Sequence, residues 1–107
     1  MGKLVRDLIP QIVRDSGMIP ITRIISEEEY LEKLFDKLAE ETEELKKSEN
    51  IDQRIEELAD VLEVLDAIRM YFEIHLRLVE EKKLKKCVER GGFNLRIILD
   101  DIKPKSD

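Results

Sequence analysis

Two stretches of helical periodicity, separated only by Ser48, Glu49 and Asn50, constrain this chain more than any other feature. In the first, Leu31, Leu34, Phe35, Leu38 and Leu45 recur at spacings of three, four and seven, which places them on one helix face. Ser26 is a ready N-cap and Glu29, three residues on, completes a capping box, so the helix is predicted from Glu27 to Lys47. In the second stretch Ile55, Leu58, Leu62 and Leu65 mark one stripe, and Val61, Val64, Ile68 and Phe72 mark another. Two stripes require two packing partners, so this helix is central or lies in a subunit interface. It is predicted to begin near Ile51, capped by Asn50 or Asp52. So short a connection favours an antiparallel hairpin.

The remaining elements follow from local chemistry. Residues 4–15 carry an apolar helical period broken by Pro10, which predicts a short helix starting near that proline and ended by Ser16 and Gly17. Helical signal continues past the second long stretch to Val88, and Arg90-Gly91-Gly92 stops it. An unbroken run would be unusually long, so a break is expected between Ile74 and Lys83. Residues 20–25 and 95–99 are rich in β-branched side chains, which is compatible with a minor two-stranded piece. The expected fold is all-α, an antiparallel bundle of about four helices. With 107 residues, no internal repeat and no linker, a single domain is expected.

Charge and cysteine content exclude several function classes. The net charge of −6 lacks the basic footprint that sequence-independent nucleic-acid binding needs, so no nucleic-acid partner is expected. One cysteine, Cys87, and one histidine, His75, cannot make a disulfide or a zinc cluster. The opening KLVRDLIP is charged and interrupted by proline, unlike a signal peptide, and no apolar run approaches a membrane span. A cytoplasmic location and no membrane association are expected.

The acidic residues are unequal. Positions 34, 38, 41 and 45 share a face, and three of them are leucine; the fourth is Glu41. A carboxylate in an apolar stripe is costly unless it is paired or bound to metal. Glu44 follows at i+3. The next helix repeats the pattern: Glu57 shares a face with Val61, Val64 and Ile68, and Asp60 follows at i+3. If the helices form a hairpin, the two pairs can converge. Four clustered carboxylates call for a hard cation, and all-oxygen ligation selects Mg²⁺ or Mn²⁺. A di-iron site would add Glu-x-x-His pairs, whereas His75 is preceded at that spacing by Phe72. The competing reading is that these are ordinary solvated glutamates on charged helices.

The pattern Glu40-Glu41-x-x-Glu44 followed by Glu57-x-x-Asp60 resembles the signature of MazG-like nucleoside triphosphate pyrophosphohydrolases, in the all-α superfamily that includes phosphoribosyl-ATP pyrophosphohydrolase. The opening Lys3-Leu4-Val5-Arg6-Asp7-Leu8-Ile9-Pro10 and the closing Lys86-x-x-x-Arg90-Gly91-Gly92-Phe93 resemble the flanks of one compact subfamily. The resemblance implies Mg²⁺ held by Glu41, Glu44, Glu57 and Asp60, assembly as a homodimer or homotetramer, and cleavage of a non-standard or surplus nucleoside triphosphate to monophosphate and pyrophosphate. On that reading Glu40 is the candidate catalytic base. The chain has no P-loop, so phosphate contacts fall to isolated cations, with Lys3, Arg6, Lys86 and Arg90 as candidates. The chain departs from the family pattern over 69–83, where Tyr71, Phe72 and Ile74 sit among Arg69, Glu73 and Arg77. The alternative is a non-catalytic nucleotide-binding or structural helical oligomer.

Overall fold

A computed structural model describes residues 2–106. Four helices follow in order: α1 (Ile9–Asp15), α2 (Glu27–Lys47), α3 (Ile51–Tyr71) and α4 (Leu76–Arg90). No strand forms among the described residues. No helix is long and apolar enough to cross a membrane. The chain divides into two compact units, Met1–Ile74 and His75–Asp107.

In the first unit the helix ends are set by short-range chemistry. Pro10 lies in the first turn of α1, where its missing N–H costs nothing. Gly17, at φ 89°, ends α1: its N–H donates to Arg14 O at 2.9 Å, and the Met18 N–H reaches back to Val13 O at 3.2 Å. The Ser26 hydroxyl caps α2 by accepting from the Glu29 N–H at 3.2 Å. Only half of the predicted capping box forms, because the Glu29 carboxylate pairs instead with Arg23 at 2.9 Å. Asn50, not Asp52, caps α3, accepting from the Gln53 N–H at 2.9 Å, while the Gln53 side chain accepts from the Glu49 N–H at the same distance.

α2 and α3 pack on each other as a helical hairpin. Tyr30, near the start of α2, meets Tyr71, at the end of α3, with ring centroids 6.1 Å apart. Between those aromatics and the connection lie the two apolar residues that are buried among those described, Leu34 (3% exposed) and Val64 (8%). α3 thus turns its Val61, Val64 and Ile68 stripe to α2. Its other predicted stripe, Ile55, Leu58, Leu62 and Leu65, is exposed.

The break after α3 covers 72–75 and so overlaps the start of the expected window. Tyr71 is the last helical residue and Glu73 takes φ 56°. The Glu73 N–H donates to Met70 O at 3.0 Å and the Ile74 N–H to Arg69 O at 3.2 Å, the same paired return that Gly17 makes after α1. Arg69 braces the turn by donating to Ile74 O at 2.8 Å. A glutamate in the left-handed position gives no compositional warning, since glycine is the usual occupant.

The second unit carries α4. His75 is its N-cap, with Nδ1 accepting from the Arg77 N–H at 3.1 Å. Gly91, at φ 81°, ends it, with its N–H on Cys87 O at 2.8 Å. The two-stranded piece over 20–25 and 95–99 is corrected by this structure, because neither segment is a strand. Arg96 has φ 57°, which interrupts an extended run, and Pro20 removes a donor. Ile21 and Ile24 are almost wholly exposed, so the β-branched residues bury no face that would stabilise pairing.

Candidate metal centre

Seven residues along α2 from Leu34, the same face presents Glu41, the one buried charged residue among those described, at 9% exposure. The hairpin brings α3 against it, and Glu57 and Asp60, one turn apart, point into the same space. One carboxylate oxygen from each of Glu41, Glu57 and Asp60 lies within 4.8 Å of the other two. Partial burial, a hydrogen bond with Glu41 and the negative charges of Glu41, Asp60 and Glu44 push the Glu57 carboxyl above its ordinary value.

Cations surround this group unevenly. Arg6 Nη2 donates to Asp60 Oδ1 at 2.6 Å. Lys37 reaches both Glu41, at 3.4 Å, and Glu40, at 3.5 Å. Lys3 donates to Glu40 at 3.2 Å. That hydrogen bond, with the charge of Lys37 beside it, holds the Glu40 carboxyl below its ordinary value. Glu57 has no ion-pair partner among the described residues.

The other predicted residues fall as follows. Glu44 is exposed and outside the group of three; it lines an open groove with Lys47, Ser48, Gln53, Glu56 and Glu57. Glu40 stands on the neighbouring face of α2, tied to the lysines. Lys3 and Arg6 precede α1 and both contact acidic residues of the hairpin. Lys86 and Arg90 are exposed, one turn apart on α4, and make no ion pair among the described residues. Sequence reading passed over Lys37, whose signal was its spacing: three residues before Glu40 and four before Glu41, where helix neighbours touch.

The donor set suits a small hard cation. Three carboxylates supply oxygens only, and an octahedral Mg²⁺ shell is about 4.2 Å across, comparable to the observed spread. Two of the three already have a cationic neighbour, which also suits solvated acids on a charged surface. Glu41 is buried, and Glu57 beside it lacks such a neighbour among the described residues.

No family model matches the chain, and no solved structure matches it. An uncharacterized protein of Mycolicibacterium smegmatis (strain ATCC 700084 / mc(2)155) is 43% identical over 56 residues, 52% of this chain and 57% of that protein. The chain thus spans little more than half the length of the curated relative it matches.

Proposed function

We propose that this protein is a Mg²⁺-dependent, or Mn²⁺-dependent, nucleoside triphosphate pyrophosphohydrolase of the MazG-like kind, acting in the cytoplasm on non-standard or surplus nucleotides. The observation that carries the reading is Glu41, buried in a leucine stripe with the carboxylates of Glu57 and Asp60 beside it. The order of acidic positions and the two flanking motifs support it from the sequence.

In this reading Glu41, Glu57 and Asp60 hold the cation, and Glu44 joins them from the groove edge. When bound, the ion supplies charge neutralisation at phosphate oxygens and orientation of the attacking water. Glu40, whose carboxyl Lys3 and Lys37 hold below its ordinary value, is the carboxylate that would accept a hydrogen bond from that water. Lys3 and Arg6, which the structure places beside the hairpin's acidic residues, are the cations offered to the phosphates. The exposed Ile55, Leu58, Leu62 and Leu65 stripe supports a homodimer or homotetramer in which a second hairpin completes an antiparallel bundle.

That same stripe also favours the second reading, a non-catalytic nucleotide-binding or structural helical oligomer. A nucleotide panel assayed for pyrophosphate with Mg²⁺ and Mn²⁺ separates the two. The enzyme releases pyrophosphate from at least one triphosphate, and Glu41→Gln or Asp60→Asn lowers the rate by about 100-fold or more. Absence of pyrophosphate from every nucleotide would sink the enzyme reading and leave the oligomer.

A further inference from the structure

The segment before α1 is tied to the hairpin at two points that bear directly on the carboxylate group. Arg6 Nη2 sits 2.6 Å from Asp60 Oδ1, across 54 positions of sequence, and Lys3 sits 3.2 Å from Glu40 Oε1, across 37. Both bonds start from a stretch with no secondary structure of its own until the turn at Asp7. Asp60 is also one of the three carboxylates that converge. The same side chain is therefore claimed by a guanidinium and offered to a cation.

We propose that Arg6 is a switching counter-ion: it neutralises Asp60 until a divalent cation takes that carboxylate, and its release turns the guanidinium to the substrate's phosphates. The proposal rests on the carboxylate group binding a divalent ion. It replaces a fixed phosphate contact with a positioning residue that couples cation binding to nucleotide binding.

Two effects of Arg6 oppose each other, and their sizes decide the sign. A guanidinium bonded to a ligating carboxylate orients it, which favours the metal. A positive charge beside the same carboxylate repels a divalent ion, which disfavours it. Orientation is a weak effect here, because Arg6 is half exposed (56%) and its backbone is not held in a helix. Repulsion scales with the double charge of the ion, so it prevails. The freed guanidinium then finds in a phosphate two oxygens that its planar fork can bond together.

The test is Mg²⁺ titration by calorimetry without nucleotide, on the full chain, comparing wild type, Arg6→Gln and Arg14→Gln. Arg14 is exposed on α1, and its side chain makes one hydrogen bond among the described residues, to Gln11 at 3.4 Å, so Arg14→Gln removes the same net charge away from the carboxylates. Arg6→Gln is expected to bind Mg²⁺ about tenfold more tightly, and Arg14→Gln to change affinity less than about twofold. In wild type, saturating Mg²⁺ should move the Arg6 Nε–Hε NMR resonance to the position of a solvent-exposed guanidinium. Unchanged or weaker Mg²⁺ binding by Arg6→Gln overturns the switch, as does an Arg6 resonance that ignores Mg²⁺ or an equal gain from Arg14→Gln. If wild type and variants alike bind no Mg²⁺, the metal site itself falls and the switch falls with it.

Discussion

Leu34 and Glu41 lie two turns apart on one face of α2, and both are buried, yet the ends of the seam they mark are built on opposite principles. At the Leu34 end, α2 meets α3 through Val64 and the Tyr30–Tyr71 pair, and the contact is apolar and aromatic. At the Glu41 end the same two helices bring together Glu41, Glu57 and Asp60, whose charges repel. Burial of apolar surface favours the fold, whereas confining like charges opposes it. The first end therefore holds the hairpin closed and the second is held closed by it, which is the arrangement expected where binding rather than stability set the residues.

The largest test is at the apolar end. Leu34→Ala removes one of the two apolar side chains that are buried among the described residues and is expected to cost about 2–5 kcal/mol by chemical denaturation. That is a large share of the roughly 5–15 kcal/mol a domain has in total. A cost below about 1 kcal/mol would mean that Leu34 is not what closes the seam.

A smaller effect of opposite sign is expected just beyond Tyr71. Glu73 occupies a left-handed backbone conformation, φ 56°, that glycine adopts without a Cβ penalty. Glu73→Gly should stabilise by about 1 kcal/mol. Loss of stability instead would show that the Glu73 side chain contributes more than its backbone strain costs.

The smallest effect is at the acidic end and depends on pH. The Glu57 carboxyl is raised above its ordinary 4.5, so the folded chain holds that proton to higher pH than the unfolded chain does. Its stabilising contribution is complete below 4.5 and is lost as pH rises through the folded value. Glu57→Gln removes the titration. With divalent ions chelated, its melting temperature should exceed that of wild type at neutral pH, and the difference should shrink toward pH 4. Melting curves that keep a constant separation from pH 4 to pH 7 would contradict the repulsion among Glu41, Glu57 and Asp60.

Much of this was legible without coordinates. The stripe of Leu34, Leu38 and Leu45 made Glu41 anomalous, and burial of Glu41 agrees with that anomaly. The bounds of α2 and the Ser26 cap were readable because each depends on atoms within one turn, while the α3 cap was narrowed to Asn50 or Asp52. Gly17 and Gly91 announced the ends of α1 and α4, while Glu73 performs the task of Gly17 without its signature. The β-branched run at 20–25 misled because propensity alone stabilises no strand that has nothing to pair with or cover.

By itself, then, the sequence determined what interactions within about four residues can determine: which stretches are helical, where most of them stop, and which face of each is apolar. Only the tertiary structure decided which carboxylates meet and which distant cations reach Asp60 and Glu40. Glu44 and Asp60 look alike as i+3 partners, but the packing of α2 on α3 gathers Asp60 and leaves Glu44 at the groove edge. Arg6 and Lys3 were candidate phosphate contacts in the sequence, and only the folded chain closes the 54 and 37 positions that separate them from Asp60 and Glu40. Such contacts depend on the path of the whole backbone, which no local pattern encodes.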